Sequence, residues 1–294
     1  MKSILKNPPA YVVFLAVVPS ATTVIWVRLS DAPSLAVAFW RMVFSVILCI
    51  PLLIIERREL KNLKKKEVLL CALSGFFLAL HFATWLAAIN LTTVAAAASL
   101  VATAPIFVAI MNAILFRKKP GKVIILSLLA TIAGSIVIAF GGGGDASLGA
   151  FDGNMLAVLG AISAAAYFVT GSFVRKTVSS GIYVSIVFAI GAMFLALFSI
   201  IAGVPFAPYS SNTFLVIFAM ALFCSIGGHV VFNWLIKYHG AMLISLAVLS
   251  EPVLASIYAF FLFSEVPPFT TAIGGAMIIT GLAYYTRKGQ EENA

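Results

Sequence analysis

The sequence predicts an all-α integral membrane protein, with ten transmembrane helices arranged as two inverted five-helix repeats around a central cavity. Three observations predict it. Ten apolar runs follow one another along 294 residues, of which 62% are hydrophobic and only 10% charged. Basic residues gather in alternate connections. The punctuation of the first half recurs 147 residues later in the second.

Composition sets the class. Soluble domains carry about 25% charged residues, and disorder needs low hydropathy with high charge. A mean hydropathy of +1.11 excludes both. A spanning helix needs about 20 predominantly apolar residues to cross roughly 30 Å of hydrocarbon. The runs near that length are Ala10–Leu29, Ser34–Ile55, Val68–Ile89, Val94–Phe116, Val123–Phe140, Asn154–Val174, Ile182–Ala202, Thr213–Ile236, Ala241–Phe263 and Phe269–Tyr285. The longest connections, Glu56–Glu67 and Gly141–Gly153, leave no room for a soluble domain. The first run is too long for a signal peptide and lacks a small-residue cleavage pattern, so it reads as a retained helix.

Lysine and arginine orient the bundle. With a cytoplasmic amino terminus, 17 of the 19 basic residues fall on the cytoplasmic side, from Lys2 and Lys6 to Arg287 and Lys288. Arg28 alone lies on the opposite face, and Arg41 lies within the second run. This is the positive-inside bias, and it puts both termini in the cytoplasm of an inner-membrane protein. The net charge of +9 therefore faces anionic lipid, and no nucleic-acid partner is expected. Cys49, Cys71 and Cys224 stand singly in apolar runs, which gives neither a disulfide framework nor a metal site.

The repeat bears on mechanism. A shift of 147 carries Val101 onto Val248, Pro105 onto Pro252, Pro120 onto Pro267 and Gly134 onto Gly281. We read residues 10–140 as the first repeat, 141–153 as a glycine-rich external linker, and 154–286 as the second repeat. Five is an odd number of crossings, so the second repeat enters the membrane upside down. Inverted repeats around a midplane site characterise many secondary transporters.

Particular residues carry a family resemblance. Gly153-Asn154-Met155-Leu156-Ala157, Ala166-Tyr167 and Arg175-Lys176 open the second repeat, and Ser250-Glu251-Pro252-Val253 runs on to Leu262-Phe263-Ser264-Glu265 near its end. With Phe39-Trp40-Arg41-Met42 after Pro33, these stretches resemble the EamA-type transporters of the drug/metabolite transporter superfamily. The resemblance covers nearly the whole chain. Two departures are Val18-Pro19, where the family often has Trp-Gly, and Lys118, where it often has an acid. The resemblance implies export or exchange of small metabolites held in a cavity between the repeats.

Charge at the bilayer centre costs about 2.5–3.5 kcal/mol on insertion scales, so Arg41 and Glu251 stand out. A rise of about 1.5 Å per residue puts them at depths that differ by only ~3–4 Å in a ~30 Å core. They either pair or face each other across the cavity. His81 and His229 are near-counterparts under the shift, and Trp85 falls on Phe232; Asn233 and Trp40 complete the candidate substrate-binding set. Histidines and aromatics in membrane helices also serve plain packing. Pro105 and Pro252 are expected to bend their helices, and Gly227-Gly228 to give a further hinge.

Enzyme motifs are lacking: the sequence holds no HExxH, no paired-acid prenyltransferase motif and no P-loop. Gly142-Gly143-Gly144-Asp145 fits an intramembrane aspartyl-protease pattern, but the nearest second aspartate, Asp152, shares its loop. The reading is a non-enzymatic secondary transporter of small organic metabolites, amino acids or related compounds favoured. Alternating access as an exporter or exchanger is expected, with protons a candidate coupling ion. No cofactor is expected, and the protein is expected to be a monomer or weak dimer. A channel-like facilitator is the alternative, and an intramembrane enzyme the remote one. A cysteine replacing Ser147, in a background lacking native cysteines, is expected to label from outside intact cells; labelling only after permeabilisation would reverse the orientation.

Overall fold

The computed structural model describes residues 8–91, 100–117, 120–140, 151–264, 266 and 269–292. The 141–150 part of the predicted linker, including Ser147, and residues 92–99 lie outside the described residues. Among the described residues every regular element is helical. After a short 3-10 turn the helices are α1 (Val13–Ser20), α2 (Thr23–Arg28), α3 (Ser34–Leu60), α4 (Lys65–Leu91), α5 (Ala104–Phe116) and α6 (Lys122–Phe140). They continue as α7 (Phe151–Val174), α8 (Ser180–Ile201), α9 (Ser211–Met220), a π-helical segment (Ala221–Val230), α10 (Val231–Val248), α11 (Glu251–Phe263) and α12 (Phe269–Glu292). Six of the resulting helical stretches are long and apolar enough to cross a membrane: Ala10–Val27, Ser34–Leu60, Lys65–Ala88, Phe151–Val174, Ser180–Ile201 and Ser211–Val248.

Several helices have visible starts. Ser210 caps α9, its hydroxyl accepting from the Thr213 N–H at 3.1 Å, which satisfies one of the unpaired donors of the first turn. The start of α8 is held from outside. Glu59 of α3 accepts from the Ser179 N–H at 2.8 Å, and Glu56 accepts from the Ser179 hydroxyl at 2.6 Å and the Ile182 N–H at 3.1 Å. These carboxylates also meet the positive end of the α8 dipole.

At Pro105 and Pro252, the two prolines expected to bend their helices, the α-helix is interrupted within the turn before each, at Ala102–Thr103 and at Leu249–Ser250. The chain stays right-handed there and tightens into turns, with Thr103 N–H bonded to the Leu100 carbonyl and Ser250 N–H to the Ala247 carbonyl, and each proline is the second residue of the helix that follows. A proline is well tolerated there, since its missing N–H has no intrahelical partner to lose. The ninth run is thus split, and its first arm joins the eighth run through Gly240 (φ 74°, ψ 176°). That backbone conformation suits glycine. The first run also breaks, at Ala21–Thr22 just after Pro19. Gly227 and Gly228 lie in the π segment, where close approach explains them: an added Cβ would stand 3.1 Å from Pro19 and 3.0 Å from Ser20.

The packing respects the shift. α3 lies against α8, its own counterpart, and α6 against α12, also counterparts. α4 packs on α7, as the π segment and α10 pack on α1; α5 packs on α7, as α11 packs on α1 and α2. The α6–α12 crossing repeats this residue by residue. A Cβ on Gly134 would meet Gly274, Met277 and Ile278, while one on Gly281 would meet Ser127, Ala130 and Thr131, the same three positions shifted by 147. As α6 advances its contacts on α12 recede, so the two helices run antiparallel.

Gly134→Ala puts a methyl 2.5 Å from the Gly274 carbonyl oxygen, and backbone cannot swing aside. Overpacking of this kind costs about 1–3 kcal/mol. Thermal unfolding of the purified variant is expected to show that loss; wild-type stability would mean that α6 and α12 do not cross here.

Candidate substrate cavity

A cavity of about 340 Å³ lies among α1, α2, α3, α4, α5, α7, α10, α11 and the π segment. Its lining is mostly apolar, with Phe82, Trp85, Phe168 and Phe232 contributing rings. The polar groups are few: Ser20, Thr23, Arg41, His81, Tyr167, His229, Ser245, Glu251 and Ser256. A small set of polar groups on apolar walls is the usual make-up of a small-molecule site.

Arg41 is only 2% exposed. Its Nε donates to the Ser225 hydroxyl at 3.0 Å, and its guanidinium carbon stands 4.7 Å from the Phe82 ring centroid. The π segment brings Ser225 there. Its wider turn breaks the α-helical register, a feature frequent at functional sites. Glu251 opens α11 and accepts a hydrogen bond from the Ser20 hydroxyl. No nitrogen–oxygen approach within 4 Å joins Arg41 to Glu251 among the described residues. Of the two arrangements open from sequence, the facing one is observed: two opposite charges on one cavity, each held by a neutral serine.

His81 lines the cavity with its ring parallel to Trp85, at a centroid distance of 6.0 Å. Its Nδ1 lies 3.0 Å from the Gly160 carbonyl. A carbonyl only accepts, so Nδ1 carries the proton and Nε2 is left as an acceptor. His229 meets Phe82 edge-on at 5.8 Å, and its Nδ1 is buried without a hydrogen-bond partner among the described residues.

Two expected residues stand off the cavity. Trp40 faces aside: its indole donates to the Phe206 carbonyl at 2.9 Å and packs on Phe39, Phe44 and Phe214. Adjacent residues on a helix point about 100° apart, so Arg41 facing inward sends Trp40 outward. Asn233 lies beneath, donating to the Tyr167 hydroxyl and, at 2.7 Å, to the His229 carbonyl. Arg175 continues the network, its Nε donating to the Asn233 carbonyl at 2.8 Å and its Nη1 to the Val178 carbonyl. Ser74 and Tyr183 share a further buried hydrogen bond. Between the cavity and the 175–180 turn, the interior holds a linked set of polar groups, in which the Asn233 Oδ1 is left without a partner among the described residues.

Sequence reasoning missed Ser20, Phe82 and Tyr167 as lining residues. The repeat held the signal. Its shift places Ser20 on Tyr167, Phe82 on His229, Trp85 on Phe232, Val101 on Val248 and Ala104 on Glu251, and all ten line the cavity. The counterpart of His229 is Phe82 rather than His81.

Comparison with known proteins settles the family. The family model described as the EamA-like transporter family matches twice, over residues 8–140 and 152–287. The chain belongs to the EamA-like transporter family. An uncharacterized transporter of Archaeoglobus fulgidus is 27% identical over 221 residues, covering 74% of each chain. A solved crystal structure, 18% identical, covers 97% of this chain and 98% of its own with a TM-score of 0.74, a likeness of fold. This EamA-like protein is therefore a multi-pass membrane transporter. Among the described residues no group of three or more His, Cys, Asp or Glu is placed to hold a metal ion.

Tyr167→Phe removes the acceptor of the buried Asn233 amide, and stranding such a donor costs about 1–3 kcal/mol. Thermal unfolding is expected to show this loss, and Tyr167→Phe with Asn233→Leu is expected to cost less than the sum of the two single changes. Strict additivity would separate the two groups.

Proposed function

We propose that this protein is a secondary carrier of small zwitterions, amino acids favoured, working as an exporter or exchanger by alternating access in the cytoplasmic membrane. The observation that carries the reading is a pair of oppositely charged groups on one cavity, the buried Arg41 and the half-buried Glu251, that do not bond each other. A guanidinium offers a planar fork matching a carboxylate, and Glu251 suits an amine. A zwitterion satisfies both and leaves the total charge of the site unchanged. The apolar rings of Phe82, Trp85, Phe168 and Phe232 suit an uncharged side chain, and Nε2 of His81 offers an acceptor beside them. Asn233 and Arg175 act beneath the site as part of the seal on the 175–180 side.

The carrier mechanism rests on two further observations. Counterpart helices pack on each other, and α6 and α12 cross antiparallel with contacts repeated at the 147 shift. Both favour ten helices in two inverted repeats, 10–140 and 154–286, with the cavity on their common axis. Such halves can exchange conformations and turn one site to either face. The orientation rests on the basic residues, and the seating of Glu56 and Glu59 of α3 on the start of α8 fits their lying at the same face. Protons and counter-substrate are both candidates for the driving force.

In proteoliposomes, uptake of labelled L-leucine is expected to saturate and to accelerate with unlabelled L-leucine on the far side. Arg41→Gln and Glu251→Gln are each expected to elute as folded protein and to lose uptake by about ten- to a hundred-fold, the scale of a hydrogen bond to a charged group. Flux linear in concentration without counterflow would favour a channel. Wild-type uptake in both variants would remove these residues from the site.

A further inference from the structure

Two counterpart helices begin at the cavity, and they differ in one respect. α5 (Ala104–Phe116) and α11 (Glu251–Phe263) are counterparts under the shift over their whole length. Each follows a broken turn, each has proline second, and Ala104, Pro105, Leu249 and Glu251 all line the cavity. A helix amino end carries about half a positive charge, so both starts attract an anion. α11 has its own acid in the first turn, Glu251, whereas α5 has none there. The position that corresponds to Glu251 is Ala104.

A second observation points the same way. Arg41 is 2% exposed and lines this cavity, yet only its Nε has a hydrogen bond; Nη1 and Nη2 have none among the described residues. A buried cation with free donors is costly unless something completes it.

We propose that the amino end of α5 at Ala104, together with the free Nη groups of Arg41, is the subsite for the substrate's carboxylate. Glu251 is its built-in counterpart in the other half, a protein carboxylate standing where the ligand's carboxylate stands at α5. The small side chain of Ala104 keeps that place open. A single negative charge fits best: Pro105 removes an N–H that a phosphate would use, and Arg41 with Glu251 leaves the site neutral before the ligand enters. This assignment rests on the zwitterion reading of the cavity.

The test supplies the missing carboxylate from the chain. Ala104→Glu and its isosteric control Ala104→Gln are purified as full-length protein, each with Arg41 or with Arg41→Gln. The acid variant is expected to melt about 2–4 °C above the amide when Arg41 is present, and to lose that difference when it is absent. 4-Methylpentanoate, a carboxylate without an amine, is expected to bind Ala104→Glu at least ten-fold more weakly than Ala104→Gln. Should the longer side chains not fit, Ala104→Asp against Ala104→Asn repeats the cycle with one methylene less. Equal melting of acid and amide in both backgrounds, or a lower melting point for the acid, overturns the subsite. An Arg41-dependent gain without any stabilisation of the wild type by L-leucine sustains the subsite and removes the amino-acid reading. Stabilisation by L-leucine that is equal in Ala104→Glu and Ala104→Gln sustains that reading and overturns the subsite.

Discussion

The Arg41 guanidinium sits inside an apolar bundle with, among the described residues, one hydrogen bond, to a neutral serine, and the helices around it are shaped by that charge. Taking an ion out of water costs several kcal/mol even after the protein relaxes. Here the compensation is spread over three helical elements: the face of Phe82 on α4, the Ser225 hydroxyl on the π segment, and the Glu251 carboxylate at the start of α11. Two of these elements are irregular where they contribute: the π segment opens its turns and α11 begins at a break, whereas α4 is a regular helix, and α1 ends where Ser20 can reach Glu251. Irregular backbone of this kind is tolerated at membrane depth only where it lines a cavity or is buried in protein.

The site is lopsided in a second way. On the 175–180 side, Tyr167, Asn233, Arg175, Ser74 and Tyr183 form a packed polar floor, and Glu56 and Glu59 fasten α3 to the start of α8. Buried polar groups bonded to one another hold a defined arrangement, because breaking one strands its partner. Tyr167 belongs both to this floor and to the cavity wall.

Much of this was legible in the sequence, for physical reasons that differ from element to element. Helix positions followed from hydropathy, because the backbone of a spanning segment must satisfy itself. Gly134 and Gly281 stood out because a close crossing allows no side chain at either. Arg41 and Glu251 stood out because charge is expensive in an apolar run. At Pro105 and Pro252 the sequence announced an irregularity but not its form: a tightened turn leaves the apolar run intact, and a proline that starts a helix reads like one that bends it. Trp40 stands off the cavity because adjacency to Arg41 in sequence is a turn of about 100° on a helix. Ser20 and Tyr167 are ordinary residues in isolation. They gain meaning only when the repeat is used to pair them, or when three-dimensional packing sets them around one cavity.

The central claim is that one cavity, with Arg41 and Glu251 on its wall, is reached from each face of the membrane in turn. Ala164 tests this most directly, being a small lining residue outside the polar groups. A cysteine in its place, with Cys49, Cys71 and Cys224 replaced, can be challenged by an impermeant thiol reagent in right-side-out and in inverted vesicles. The account predicts reaction from both sides, slowed in each case by L-leucine. Reaction from one side only, under every condition of substrate and orientation, would contradict it.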